Sequence, residues 1–280
     1  QIESLRRQIN IEFKILVRDD GSTDSTPQIL DGWSKKGVLT WYKGENMVYA
    51  RSFLNLLRTA PDADYYAFCD QDDIWLPDKL ECALNKLDKM PTPVKLYCSN
   101  LYVYRNGANE GLWWNFEPEI NLYRALVQNI VTGCTAVFSK SLRDIVKNNL
   151  PGSIALHDFW LYHTALLFGS VYFDSQAHIY YRQHGKNQIG AKNRTIDRVR
   201  SKVRSISTLS KQHYREHEAK QLLECYGNLI SEDKKNIVYT IAHYKDSIRR
   251  RFILLFSMKY RMYNWLDTFW FKIRIIVGCI

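Results

Sequence analysis

At 280 residues, 46% of them hydrophobic and 14% aromatic, the chain is long enough for one large domain or a domain with an appendage, and apolar enough to bury a sizeable core. Its six cysteines (Cys69, Cys82, Cys98, Cys134, Cys225, Cys279) form no CxxC pair and no regular spacing, which argues against a zinc ribbon or a disulfide framework and for free thiols in a reducing compartment. The net charge of +10 is lopsided: residues 1–193 carry 21 Lys and Arg against 21 Asp and Glu, residues 194–280 carry 18 against 8, and a soft domain boundary is expected between the two stretches.

In chain order, QIESLRRQ reads as helix from the first residue without a capping signal, so the chain is expected to begin inside an element. FKILV (13–17) is a short apolar run followed by RDDGSTDSTPQIL, in which Gly21 turns the chain, Ser25 or Thr26 caps a helix and Pro27 suits its first position. VLTWYK (38–43) predicts a second strand, and YARSFLNLLRTA (49–60) a helix with Phe53, Leu56 and Leu57 on one face. DYYAFC (64–69) predicts a strand that runs into DQDDIW, after which Pro77 and Asp78 open a helix to about Met90, with Asp78 read as its cap. VKLYCSNLYVY (94–104) is a strong strand pattern.

Beyond it the signal loosens. NLYRALVQN reads as a short helix, TGCTAVFS (132–139) as a strand entered through Gly133, and SLRDIVKNN as a helix. LHDFWLYHTALLF (156–168) reads as a helix with His157 and Asp158 near its start, and SVYFD and AHIYYRQH as two strands. From Arg194 the pattern is mostly helical, with Ser231 as a cap and Glu232 and Asp233 in the first turn, where the helix dipole favours anions. The β–α alternation predicts an α/β layered fold on a largely parallel sheet. No stretch reads as a signal peptide, and no apolar run reaches the roughly 18–20 residues of a spanning helix. The longest, FWFKIRIIVGCI, is interrupted by Lys272 and Arg274.

Two acidic groups, Asp19/Asp20 and Asp70/Asp72/Asp73, each sit just past the end of a predicted strand, the edge at which ligands bind in open α/β sheets. If those strands are neighbours, the carboxylates converge on one crevice, and their mutual repulsion calls for a cation. Oxygen ligands of this kind favour Mg²⁺ or Mn²⁺, bound together with the phosphates of a nucleotide diphosphate. Solvated turns and helix caps are the competing reading, but a cap needs one acid and not three. No GxxxxGK[ST], no GxGxxG after a strand and no EF-hand spacing is present, which removes the other common nucleotide and cation motifs. Asp158 at a helix start can serve as a general base or merely favour the dipole. His184, in YYRQHGKNQIG, is a metal ligand or a surface histidine, and Trp113 and Trp114 are a sugar-stacking wall or core. The basic and aromatic residues of the C-terminal third suit an anionic membrane surface or a solvated helical face, and no nucleic-acid-binding motif accompanies them.

VRDDGSTDST followed by FCDQDDIWLPDKLE resembles the family 2 glycosyltransferases of the GT-A fold, and within them bacterial rhamnosyltransferase-like enzymes of surface polysaccharide synthesis. The likeness covers about residues 1–190. It implies a Rossmann-like three-layer α/β/α sandwich over residues 1–193, lacking the family's first strand, and a basic, mostly helical region over 194–280. It further implies that Asp19 and Asp20 contact the nucleotide, that Asp70-Gln71-Asp72 is the DXD motif, and that Asp72 or Asp73 holds the metal on the diphosphate. Gly133 would lie in the loop near the donor sugar, Asp158 would be the catalytic base, and His184 would reach the metal or the diphosphate. In ENMVYARSF, Asn46 and Arg51 match the family, whereas Val48 stands where it usually has glycine.

The function so implied is inverting, metal-dependent transfer of a sugar, with rhamnose favoured, from dTDP-rhamnose or a UDP-sugar. The acceptor would be a glycan or lipid-linked glycan at the cytoplasmic face of the membrane, with no nucleic-acid partner. The alternatives are a nucleotidyltransferase on a similar sheet and a catalytically inactive fragment that binds or scaffolds.

Overall fold

The computed structural model describes residues 1–183 and 214–280. The first half runs α1 (Ile2–Arg6), β1 (Leu16–Asp19), α2 (Thr26–Lys35), β2 (Thr40–Lys43), α3 (Tyr49–Thr59), β3 (Tyr65–Ala67), β4 (Ile74–Trp75), α4 (Lys79–Leu87), β5 (Lys95–Arg105) and β6 (Ala108–Leu112). Then come α5 (Leu122–Ala125), a 3₁₀ turn (Gly133–Thr135), β7 (Val137–Ser139), α6 (Lys140–Asn148), α7 (His157–Phe168) and β8 (Ser170–Arg182). The C-terminal helices are α8 (Tyr214–Tyr226), α9 (Glu232–Ala242), α10 (Ile248–Phe256) and α11 (Trp265–Val277).

The layered α/β architecture is as expected, but strand directions are mixed. β1 and β2 form a separate parallel pair. The main sheet has the order β3-β7-β5-β8-β4, with β6 also on β5. Only β5 and β8 are parallel in it; β3–β7, β7–β5, β8–β4 and β5–β6 are antiparallel. The physical reason lies in the connections: a parallel partner needs a long crossover, which α5, α6 and α7 supply between β5 and β8, whereas a tight turn forces an antiparallel return. Such a turn joins β5 to β6, where Asn106 (φ 50°) and Gly107 (φ 85°) both adopt the left-handed region of a type I′ hairpin.

The two strands expected at SVYFD and AHIYYRQH are one strand, β8, broken by a bulge. Asp174 pairs with Ser99 but Ala177 with Asn100, leaving Ser175 and Gln176 exposed. Buried Asn100 holds that bulge, donating to the Trp114 carbonyl at 2.7 Å and to the Ser175 carbonyl at 3.3 Å.

Side chains of β5 alternate between two cores, one on each face of the sheet. Leu96 and Cys98 face a large cluster containing α3, α6, α7 and the C-terminal helices. Tyr97, Leu101 and Val103 face a smaller one with α1 and α4. Helix α7 has ten buried residues among its 12, because α8 covers its outer side: Trp160 packs on Tyr226 with ring centroids 5.5 Å apart. Half-buried Lys272 of α11 caps the end of α10, donating to the carbonyls of Leu254, Ser257 and Tyr260. The charge that interrupts the C-terminal apolar run is therefore spent on helix packing.

Where α7 meets β8, a Cβ on Gly169 would lie 2.0 Å from the Val94 carbonyl oxygen. Gly169→Ala must displace the backbone that pairs β5 with β8, and a loss of roughly 1–3 kcal/mol is expected in urea unfolding, as for an overpacked core. Unchanged stability would mean that the helix and the strand are not in the contact described.

Candidate functional site

Asp70 and Asp73 follow β3, and Asp158 opens α7. What joins them is the 3₁₀ turn Gly133–Thr135, the residues that lead into β7. The Gly133 amide donates to Asp158 Oδ2 at 3.1 Å, and the Phe159 amide donates to Oδ1 at 2.7 Å. The next residue, Cys134, is fully buried, and its sulfur and one oxygen each of Asp70 and Asp73 lie within 4.8 Å of one another. One short turn therefore holds the carboxylate on α7 and the acidic loop in fixed relation. Its glycine is required: a Cβ at position 133 would sit 2.6 Å from His157 Nε2.

Burial dominates the electrostatics. Desolvation, followed by repulsion from Asp72, pushes Asp70 up to about 6. Desolvation and then the Asp70 charge push Asp73 to about 7. Asp158 rises to about 7 through desolvation, with its two backbone donors opposing the rise and the Asp70 charge adding to it. The cation on the inner side is Lys79, fully buried with its Nζ 3.6 Å from the Trp75 ring centroid. Desolvation lowers it to about 8. Asp73 is 0% exposed; its Oδ1 accepts from the Arg182 amide at 3.1 Å, and its Oδ2 is buried without a hydrogen-bond partner. Buried carboxyl oxygens crowded together with an orphan among them fit a divalent cation. Asp72 is half-buried on the same loop.

Asp19 and Asp20 are placed differently. β1 pairs only with β2 and β3 only with β7, so among the described residues no ladder brings the two acidic groups together. Asp19 is buried and accepts from the Ser22 amide at 3.2 Å. Asp20 is paired with Arg18 and accepts from the Ser52 hydroxyl. The link to the rest of the site is α3: Ser52 holds Asp20, while the adjacent Phe53 stacks on His157 at 4.1 Å and 16°. Val48, at the N-terminus of that helix, has a φ of 20° and is 67% exposed. A β-branched residue thus occupies backbone that favours glycine, and its side chain points to solvent.

His184 lies outside the described residues. Trp113 and Trp114 pack: Trp113 lies edge-on to Tyr181 at 6.2 Å, and Trp114 contacts Phe116 and Tyr263 at 5.4 and 6.2 Å. Two residues had no prior role. Cys134, expected only as a free thiol, lies with its sulfur within 4.8 Å of a carboxyl oxygen of both Asp70 and Asp73. His157 is buried among Tyr49, Phe53 and Phe68 with neither ring nitrogen hydrogen-bonded, and desolvation lowers it to about 3, so it is neutral. Its place immediately before Asp158 is the signal that was available.

A family model described as Glycosyl transferase family 2 matches residues 1–146. The chain is 29% identical over 204 residues to dTDP-rhamnosyl transferase RfbG of Shigella flexneri, covering 68% of this chain and 70% of that protein. It is 26% identical over 216 residues to UDP-Glc:alpha-D-GlcNAc-diphosphoundecaprenol beta-1,3-glucosyltransferase WfaP of Escherichia coli, covering 76% and 82%. Among solved structures, S. aureus TarS 1-349 aligns with a TM-score of 0.57 at 17% identity, over 100% of this chain and 75% of that one. The same protein in complex with UDP aligns with a TM-score of 0.54 at 19% identity, over 91% and 70%.

The raised carboxyls have a consequence for stability. Asp70, Asp73 and Asp158 bind protons more tightly folded than unfolded, so their stabilising contribution is full below about pH 4 and fades as pH rises to about 7. In thermal melts without added cation, wild type is expected to lose more stability than Asp158→Asn between those limits. Parallel curves for the two would show that Asp158 is not the buried, raised group described.

Proposed function

The chain belongs to glycosyl transferase family 2, and from that membership we propose an inverting, metal-dependent transfer of a sugar from a nucleotide diphosphate donor to a glycan or lipid-linked acceptor in bacterial surface polysaccharide synthesis. The observation that carries this reading is the backbone-held Asp158, tied through Gly133 and Cys134 to the acidic loop. Support for rhamnose, carried by dTDP, comes from the RfbG relative; the WfaP relative, named for a UDP-glucose donor and a diphosphoundecaprenol acceptor, keeps a UDP-sugar and a lipid-linked acceptor in play.

Asp158 takes the proton of an acceptor hydroxyl as that oxygen forms its bond to the anomeric carbon, and the bond from that carbon to the diphosphate breaks on the opposite face. A carboxyl poised at about 7 is suited to this work near neutral pH. The Gly133 and Phe159 amides hold its orientation. Asp72 and Asp73, together with Asp70, would hold Mg²⁺ or Mn²⁺, with His184 as a further ligand; when bound, the ion neutralises charge growing on the leaving diphosphate. Asp19 and Asp20 would position the nucleotide.

The acceptor class suggests a place for the C-terminal helices. No helix among the described residues is long and apolar enough to cross a membrane. Helix α10 instead exposes Ile248 (75%), Phe252 (55%) and Phe256 (72%) at four-residue spacing, and α11 exposes Trp265 (79%) and Phe269 (51%). With Arg249 and Arg250 on α10 and Lys259 in the connection that follows it, we assign this face to peripheral contact with an anionic membrane on its cytoplasmic side.

Asp72→Asn and Asp158→Asn are each expected to lower transfer from the cognate donor at least 100-fold while far-UV circular dichroism stays native; full activity in both would sink the assignment. The released product separates this from nucleotidyl transfer, being a nucleoside diphosphate here and pyrophosphate there. For the membrane face, Phe252→Ser/Phe256→Ser is expected to cut co-sedimentation with phosphatidylglycerol-containing vesicles by tenfold or more, and equal binding by variant and wild type would overturn that part.

A further inference from the structure

Asp78 occupies the N-cap position of α4, where a carboxylate ordinarily accepts a hydrogen bond from the first turn, and it makes no such bond. The cap expected from sequence is thus not formed. The carboxylate is turned to other partners: its Oδ2 lies 3.1 Å from His178 Nδ1 and 3.7 Å from Cys82 Sγ. One ligand atom from each of Asp78, Cys82 and His178 lies within 4.8 Å of the others. Asp78 and Cys82 are four residues apart and share one face of the helix, and His178 comes across from β8.

The surroundings are those of a metal-binding imidazole. His178 is 3% exposed, and its other ring nitrogen, Nε2, faces Asp174 Oδ2 at 3.9 Å without a hydrogen-bond partner. Asp174 is itself held by the Tyr97 hydroxyl at 3.1 Å and the Gln176 amide at 3.0 Å. A ligand histidine backed by an anchored carboxylate is the arrangement that fixes ring orientation and strengthens the metal bond. Two carboxylates flank the imidazole, Asp78 at 3.1 Å from Nδ1 and Asp174 at 3.9 Å from Nε2, so the site carries negative charge. A field of that sign is relieved by a divalent ion. The Asp78 side chain is 44% exposed, so water can complete the coordination.

We propose that Asp78, Cys82 and His178 form a second divalent-cation site, distinct from the acidic loop, with Asp174 as the orienting carboxylate. One oxygen, one sulfur and one imidazole nitrogen is a zinc-type set, unlike the all-carboxylate chemistry expected for Mg²⁺ or Mn²⁺ at Asp70–Asp73. Its role is structural. It clamps α4, which begins six residues after Asp73, to β8, whose end donates the Arg182 amide to Asp73. The inference stands on these residues alone and does not depend on the transfer reaction.

The test uses the metal-stripped chain and Co²⁺ as a spectroscopic probe. Wild type is expected to bind Co²⁺ with a thiolate-to-metal charge-transfer band, which one equivalent of Zn²⁺ displaces. Cys82→Ser should abolish the band and His178→Asn should weaken Zn²⁺ binding at least tenfold. Cys134→Ser, which removes the thiol of the acidic cluster, should leave the band in place. Iodoacetamide labelling of wild-type Cys82, slowed by stoichiometric Zn²⁺, supplies a readout that needs no variant to fold. Absence of a thiolate band and of protection in wild type, or a band that survives Cys82→Ser and disappears in Cys134→Ser, would overturn the proposal.

Discussion

The structure depends on burying carboxyl groups of like charge beside one another. Asp70, Asp73 and Asp158 lie in low dielectric, where each ionised group is destabilised both by lost hydration and by its neighbours. The fold manages this with backbone. The Gly133 and Phe159 amides serve Asp158, and the Arg182 amide serves Asp73. Amide donors stabilise a carboxylate without adding a formal positive charge, so the three carboxyls keep a raised proton affinity. Lys79, the charged group placed beneath it, is so thoroughly desolvated that its own proton affinity is lowered.

The same constraint explains the bulk around α7. A helix buried on all sides ordinarily belongs to the centre of a larger protein. Here the sheet covers one side and α8 the other, and the apolar cluster runs without interruption from Leu54 and Phe68 through Trp160 to Tyr226, Ile241 and Phe271. The C-terminal helices thereby seat the helix that carries Asp158. Arg215 of α8 adds a polar tie, donating to the Val127 carbonyl at 2.8 Å just upstream of the Gly133 turn. Removal of these helices would expose Trp160 and Tyr162.

Much was legible along the chain. Amphipathic spacing placed α3, the apolar runs placed β3 and β5, and the crowding of Asp70, Asp72 and Asp73 after a strand marked the acidic loop. All of these are local signals, with periods of two to four residues or runs of a single charge. Strand direction was not legible, because alternation of strands and helices fixes order but not which strands become neighbours. The Asn106–Gly107 hairpin carried a recognised turn signal that the apolar pattern of β6 was too weak to complete, since ANEGL is exposed throughout.

What the sequence by itself determined was therefore the identity of the acidic loop, the helix start at Asp158 and the family to which the chain belongs, since each is written in contiguous residues. The roles of Cys134, His157, Asp78 and Asp174 were decided only in three dimensions. Cys134 lies 61 residues from Asp73 along the chain and His178 lies 100 from Asp78. A thiol or an imidazole takes its chemistry from the charges and the dielectric around it. Those are set by packing between distant segments, which no local pattern records.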